Sequence, residues 1–316
     1  MNKILTKDLI IVTPVYEDTE ASTKLFKELS SVLSKNILIV AVDDGSVKVP
    51  VDLSNITSAG LDGIVIKLKR NVGHQRAISI GLGYVSEHID EYQKVVVMDS
   101  DGEDTPESIK ELIKPLESNN VDVVVAQRKS RVESLKFKAF YVIYKWVFNI
   151  LAGRKISFGN FMALKPMAVK RLVSMQELGT HVAGTVLSSK LRIDTIPLDR
   201  GARYAGQSKM NFVGLVLHGF KGLMIFAEDV LVRVGIASAS IAGLAILGAL
   251  TAISLKITGF ATPGWFTTAF GVLFIIFLQT GTMTLMMLML TGVAKGGSIK
   301  PIDYKIFVDE IIDASS

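Results

Sequence analysis

Two uncharged stretches near the end of the chain set its architecture. Val234 to Leu255 runs for 22 residues without a charge and Ile257 to Ala294 for 38, with Lys256 alone between them. At 1.5 Å per residue the first makes a helix of about 33 Å, enough for a bilayer core of roughly 30 Å. The second is too long for one crossing. Gly259, Pro263 and Gly264 break it near its start and leave Phe266 to Gly292 as the spanning helix. A buried soluble helix pair is the competing reading, and such length without charge argues against it. The expectation is a transmembrane hairpin over residues 233–294 with a very short outer turn. Lys221, Arg233, Lys295 and Lys300 flank its open ends while Lys256 sits in the turn, which puts both termini in the cytoplasm by the positive-inside tendency.

The rest of the chain divides around this anchor into a polar domain (1–210), a juxtamembrane helix (211–232) and a tail (295–316). Charge is segregated within the polar part. Residues 1–127 carry 13 Lys/Arg against 20 Asp/Glu, whereas residues 128–221 carry 17 against 4. A basic half beside an anchor points to phosphate-bearing ligands or anionic lipid headgroups. Nucleic acid ranks well below these, because no nucleic-acid module or aromatic-rich basic repeat is visible. The chain has no cysteine, which excludes a disulfide scaffold, a thiolate zinc site, an iron–sulfur cluster and a cysteine nucleophile. No signal peptide is expected: Met1 to Asp8 is polar, and Leu9 to Thr13 is too short for a secretory core.

The first 127 residues alternate strand-like and helix-like segments. Leu9–Thr13, Ile37–Val42, Ile64–Leu68, Val95–Met98 and Asp122–Ala126 are short apolar runs; Glu20–Leu33, His74–Glu87 and Pro106–Leu116 have helical spacing between them. This pattern predicts an α/β fold, Rossmann-like, with a mostly parallel sheet and helices on both faces. Ligands of such sheets bind beyond the carboxyl ends of the strands. Those ends carry Pro14-Val15-Tyr16-Glu17, Asp43-Asp44-Gly45-Ser46 and Asp99-Ser100-Asp101, three polar clusters converging on one crevice. The glycine-rich dinucleotide turn and the phosphate loop ending in Gly-Lys-Ser/Thr are both missing, so dehydrogenase and P-loop readings lose their support.

Asp99 and Asp101 follow a buried strand, and their hard oxygens suit Mg²⁺ or Mn²⁺ shared with substrate phosphates. Solvated loop acids are the bland alternative. Asp43 and Asp44 are either turn residues or acceptors for a nucleobase N–H and a ribose hydroxyl. Arg70 to Ala77 opens a helix, with Arg70 near phosphate and Gly73 allowing close backbone approach. Arg200, Arg203, Ser208 and Lys209 bring three cations and a hydroxyl into ten residues just before the apolar helix Asn211–Phe226, where a phosphate-binding loop is expected. That helix suits the headgroup layer, and Phe137–Ile150 reads as a second interfacial helix. His74 and His181 lack adjacent acids or metal-ligand spacing and read as structural. The tail, Tyr304–Ile312, is expected to add a strand or short helix at an interface.

The order Pro-x-Tyr, Asp-Asp-Gly-Ser, Arg-Asn-x-Gly-His-Gln-x-Ala, Asp-x-Asp-x-x-Asp-x-Pro-Glu resembles inverting GT-A glycosyltransferases. More narrowly it resembles the family 2 polyprenyl-phosphate glycosyltransferases, the group that includes dolichol-phosphate mannose synthase and the bactoprenol glucosyltransferases. The likeness continues through Gln127-Arg128, Arg200 to Lys209 and the anchor with Pro263-Gly264-Trp265. It implies transfer of a sugar from a UDP- or GDP-linked donor to polyprenyl phosphate at the cytoplasmic membrane face, with Mg²⁺ or Mn²⁺, by a homo-oligomer, a tetramer in this group. By the same resemblance Pro14, Tyr16, Asp43 and Asp44 line the base and ribose pocket and Asp99 and Asp101 hold the metal. Arg128 and Arg131 lie near the phosphates, and Arg200, Arg203, Ser208 and Lys209 receive the acceptor phosphate.

The chain departs from the group's pattern at three places. Glu17-Asp18 replaces the usual Asn-Glu, Gly102-Glu103 replaces Leu-Gln, and Asn160 stands where many members carry a catalytic acid. Asn160 therefore positions a substrate rather than acting as a base. The rivals are a transferase acting on a glycosylated lipid or polysaccharide, a scaffold without catalysis, and a small channel or transporter subunit resting on the hairpin alone.

Overall fold

In the computed structural model, residues 7–33, 36–128, 146–154, 158–204, 212–260, 262–296 and 303–313 are described. They form two units: one from residues 1–141, 156–225 and 300–316, the other from 142–155 and 226–299.

The first unit is built on an eight-stranded sheet in the order β7-β5-β6-β4-β1-β2-β3-β8. Strands β1 (Leu9–Val15), β2 (Ile37–Asp43), β3 (Asp62–Leu68) and β4 (Lys94–Val97) pair in parallel. Beyond β4, β6 (Met162–Leu164) is antiparallel to both β4 and β5 (Val123–Arg128), and β5 pairs in parallel with β7 (Ile193–Leu198). Every residue of β1 and β2 is buried, as expected of strands covered on both faces. Their alternation divides the core. Ile10, Val12, Leu38, Val40 and Val42 pack beneath α3 (His74–Ser86), while Leu9, Ile11, Ile37 and Ile39 join Leu25, Phe26 and Leu29 of α1 (Thr19–Val32). Gly81 lets α3 settle: a Cβ there would lie 2.6 Å from Val12 and 2.9 Å from Val42.

The smaller helices are α2 (Leu53–Thr57), α4 (Ser108–Ile113), α5 (146–152, in the second unit), α6 (Pro166–Val173), α7 (Val182–Ser188) and α8 (Phe212–Ile225); of the interfacial helix expected over Phe137–Ile150, residues 137–145 lie outside the described residues. The helix expected over Pro106–Leu116 is split, α4 ending at Ile113 and a 3₁₀ turn carrying Pro115 completing it. Proline removes a backbone donor and clashes with a continuing α-helix. The tail contributes both expected elements. A 3₁₀ turn at Tyr304–Phe307 leads into β8 (Val308–Asp313), antiparallel on the edge of β3. The Tyr304 hydroxyl donates to Glu87 at 3.0 Å, and its ring fills the space beside Gly83.

In the second unit α9 (Ala227–Ile257) and α10 (Trp265–Gly296) form an antiparallel hairpin joined through residues 258–264. Both are long and apolar enough to cross a bilayer. The buried positions of α9 are Gly235, Ser238, Ala242, Ala245 and Ala252, a stripe of small side chains at helical spacing. Leu273 of α10 packs at Gly248, where a Cβ would lie 3.2 Å from it. Small residues allow this approach where lipid offers no hydrophobic drive. Large apolar side chains such as Leu244, Ile275 and Leu288 face outward.

Candidate active site

The strand order reverses about β1, whose neighbours are β2 and β4, so loops at its carboxyl end open a crevice. The first wall is a knot of loops held by carboxylates. Asp43 accepts the backbone N–H of Ser46 at 2.7 Å and of Val51 at 2.9 Å. Asp44 accepts those of Val72 and Gly73 at 2.7 and 3.0 Å, tying the β2 loop to the start of α3. Burial raises the Asp44 carboxyl above its ordinary range against the pull of those two N–H groups. Gly45, at φ +70°, lies against the backbone of Arg70 and Asn71. Gly73 caps α3 at φ +90° with open space around it, so its need for glycine is conformational. Tyr16 is 42% exposed at the crevice, Pro14 is buried in β1, and Arg70 extends into solvent.

Glu17 contributes a contact that the sequence did not reveal. Its carboxylate accepts the successive N–H groups of Val47, Lys48 and Val49 at 2.8 to 3.1 Å, while its own N–H donates to Ser46 Oγ. Those backbone donors hold the carboxyl below its usual range. The acid thus closes the loop beside Tyr16.

The second wall is the acidic turn after β4. Asp99 N–H donates to buried Asp104 at 2.9 Å, and Glu103 N–H to Asp101 at 3.0 Å. Burial, then the nearby Asp99 charge, pushes Asp104 well above the ordinary carboxylate range. Two sets of nitrogen donors meet this turn. Arg203 lies 2.8 Å from Asp101 and 3.5 Å from Glu103, and Arg200 pairs with Glu103. The backbone N–H groups of Gly201 and Tyr204 bond the carbonyls of Glu103 and Asp101 at 3.0 and 2.8 Å. Tyr204 covers Gly102, where any Cβ would meet its ring at 2.5 Å, and its hydroxyl donates to Glu28 of α1. On Asp99, His74 Nε2 approaches Oδ1 at 3.1 Å. Burial opposes charge on His74, but Asp99, with Asp104 and Asp101 behind it, outweighs that effect and raises the imidazole above its ordinary value.

Asn160, just before β6, completes this corner. Its Nδ2 lies 3.0 Å from His74 Nε2, and its Oδ1 accepts from Gln75 Nε2 at 3.2 Å. Gln75 Oε1 in turn accepts the N–H of Val182 at 2.7 Å. The structure thus brings Asp99, Asp101, Asn160, Arg200 and Arg203 together, adds His74, Gln75 and Tyr204 to them, and puts Glu17 in the opposite wall with the loop at 46–49. Their partners are distant in sequence, which is why spacing alone could not find them. Arg128 ends β5 in register with Leu198; Arg131, Ser208 and Lys209 lie outside the described residues.

The donor set suits a hard divalent cation. Two carboxylates at a strand end, each drawing a cationic or N–H partner, form a site made for positive charge. Among the described residues no third His, Cys, Asp or Glu joins them in a metal-binding group, so other ligands would come from phosphate and water.

Residues 10–176, more than half of the chain, match the sequence profile of glycosyl transferase family 2. The chain belongs to this family. An uncharacterized glycosyltransferase of Synechocystis sp. is 28% identical to this family 2 enzyme over 232 residues, covering 71% of this chain and 70% of the relative. An undecaprenyl-phosphate 4-deoxy-4-formamido-L-arabinose transferase of Photorhabdus laumondii is 26% identical over 219 residues, covering 66% and 65%. In fold, the enzyme is similar to the glucosyl-3-phosphoglycerate synthase of Mycobacterium tuberculosis, crystallised with Mn²⁺, UDP-glucose and phosphoglyceric acid. That TM-score is 0.52 at 13% identity, with 72% of this chain and 81% of the other covered.

Proposed function

We propose that this family 2 glycosyltransferase moves one sugar, with inversion, from a UDP- or GDP-linked donor to polyprenyl phosphate at the cytoplasmic face of the membrane. One observation carries the reading: an acidic strand-end turn gripped by Arg200 and Arg203, in a chain that continues into two bilayer-length helices. The name of the Photorhabdus relative, an undecaprenyl-phosphate 4-deoxy-4-formamido-L-arabinose transferase, supports the same acceptor class. The domain plan is residues 1–210 for catalysis, 211–232 as the juxtamembrane helix, 233–294 as the hairpin and 295–316 as the tail. The basic residues at the hairpin's open ends support cytosolic termini.

In this reading Pro14, Tyr16, Asp43, Asp44, Arg70 and Gly73 shape the nucleotide pocket. Asp99 and Asp101 hold Mg²⁺ or Mn²⁺, which when bound offsets charge on the leaving diphosphate. Arg128 and Arg131 add cations there, and Arg200, Arg203, Ser208 and Lys209 receive the acceptor phosphate. A phosphate monoester has a second pKa of about 6, so the acceptor oxygen is already largely unprotonated at neutral pH. A general base has little left to do, which accommodates an amide at position 160. Asn160 holds substrate by hydrogen bonding, and in-line placement supplies the rate. Self-association as a tetramer, as the family resemblance implies, accompanies this reading.

A panel of UDP- and GDP-sugars offered with polyprenyl phosphate to the purified enzyme tests it. A lipid-linked monosaccharide from one donor is expected. Transfer only to an already glycosylated lipid, or none with any donor, rejects the assignment.

A further inference from the structure

Three of the chain's four histidines gather where α3, α7 and α8 meet. His74 begins α3 and touches Asp99. His181 caps α7, its Nδ1 accepting the Gly184 N–H at 3.0 Å. His218, on α8, stacks on the His181 ring with centroids 4.5 Å apart and lies within electrostatic reach of His74. A shared metal does not fit this stack: the rings lie face to face at 29° and one His181 nitrogen is already taken.

Helix α8 has two faces. Gly219 and Gly222 are buried and His218 and Ile225 half-buried on the side toward α7, where Ile225 packs at Gly184. Leu217, Phe220 and Met224 are 55%, 59% and 66% exposed on the other. Among the described residues of this apolar helix, His218 and Lys221 alone carry ionisable side chains, one turn apart. No protein group among the described residues hydrogen-bonds either nitrogen of His218. Exposed Leu217 and Lys221 neighbour His218 along α8, and His74, within its electrostatic reach, sits against Asp99. That set of neighbours matches an amphiphile with an anionic head.

We infer that His218 is a direct contact for the acceptor's phosphate monoester, the point at which α8 hands a lipid headgroup to the site. The inference rests on the reaction proposed above. His181 supplies the flat surface that fixes the His218 ring, and Lys221 adds charge at the rim. Burial lowers His218 below the ordinary histidine range, so it enters as a neutral donor and accepts the dianion without first shedding a counter-ion.

The test measures binding of farnesyl phosphate, farnesol and inorganic phosphate to the full-length protein in detergent, for wild type, His218→Phe and His218→Ala. Phenylalanine keeps a ring to stack on His181 and removes both nitrogens. Wild type is expected to bind farnesyl phosphate at least tenfold tighter than farnesol. His218→Phe should lose about ten- to a hundredfold for farnesyl phosphate, the range of one hydrogen bond to a charged group. Its farnesol and nucleotide affinities and its melting temperature should not change. Wild-type behaviour in His218→Phe, or equal losses for farnesol and farnesyl phosphate, overturns the contact. Inorganic phosphate binding as tightly as farnesyl phosphate overturns the lipid source. A wild type that binds farnesyl phosphate through His218 yet makes no lipid-linked sugar sinks the proposed reaction and leaves the contact standing.

Discussion

Asn160 Nδ2 stands 3.0 Å from His74 Nε2, the same ring nitrogen that approaches Asp99 at 3.1 Å. One nitrogen cannot accept from the amide and donate to the carboxylate at once. The amide's orientation is set from behind, because the Val182 N–H can only donate, which turns Gln75 Oε1 toward it and Gln75 Nε2 toward Asn160 Oδ1. Asn160 therefore favours the neutral ring and Asp99 the charged one.

Asn160→Asp removes this competition, since both carboxylate oxygens accept and His74 is driven to the imidazolium form. If the acceptor phosphate needs no base, kcat should not rise above wild type. A rise of tenfold or more in steady-state transfer assays would mean that a base is what position 160 lacks. Asn160→Ala should lower turnover or sugar binding; if neither changes, Asn160 positions nothing.

Asp101→Asn should reduce transfer by at least about a hundredfold while leaving membrane insertion intact, through loss of a charged oxygen toward the cation. It also weakens the contact with Arg203, so Arg203→Ala is the necessary comparison. Recovery of Asp101→Asn at millimolar metal would place the residue's role in the affinity for the ion; wild-type transfer by Asp101→Asn at limiting metal would show that the residue is dispensable for holding it.

The strands and their ends were legible because buried parallel strands read as apolar runs, and Ile37–Val42 or Val95–Met98 announce themselves. The two long helices were legible for the same reason. The contacts within the site were not. Glu17 serves loop positions 47–49, about 30 residues away, and His74 meets Asn160 across 86. Neither pairing leaves a local pattern. His74 read as structural because the acid it meets, Asp99, arrives from another strand. Tyr204 could be read only as a member of a basic loop, since its ring matters through Gly102 and Glu28.

Gly45→Ala should cost about 2–4 kcal/mol and weaken donor binding together. The position has φ +70°, and an added Cβ would lie 2.4 Å from Arg70 C and 2.5 Å from Asn71 N, backbone atoms with little room to yield. Thermal unfolding and nucleotide titration of the same preparation check both effects. Gly60, also at positive φ (+75°) but with open space around it, is the control: Gly60→Ala bears the conformational cost alone.

Glu17→Ala should raise the donor KM several-fold with little change in kcat, because it frees the N–H groups of Val47, Lys48 and Val49 beside Tyr16. Glu17→Gln retains an acceptor oxygen and should fall between the two. Initial-rate measurements at varied donor concentration separate KM from kcat. An effect confined to kcat would place Glu17 at the reacting groups instead of the base pocket.

His181 makes the stability of the first unit depend on pH. Burial, with His218 and Lys221 nearby, holds its imidazole down at about 4, against about 6.5 in an unfolded chain. The unfolded state therefore binds the extra proton first as pH falls. The stabilisation is fully present above pH 6.5 and is lost progressively toward pH 4, amounting to about 3 kcal/mol in all. His181→Asn keeps an acceptor at the start of α7 and removes the titration. Melting temperatures measured from pH 7.5 to 4.5 should fall more steeply for wild type than for His181→Asn, the curves converging at the acid end. Parallel curves would mean that His181 is protonated in the fold, and that its stack with His218 is not the neutral pair described here.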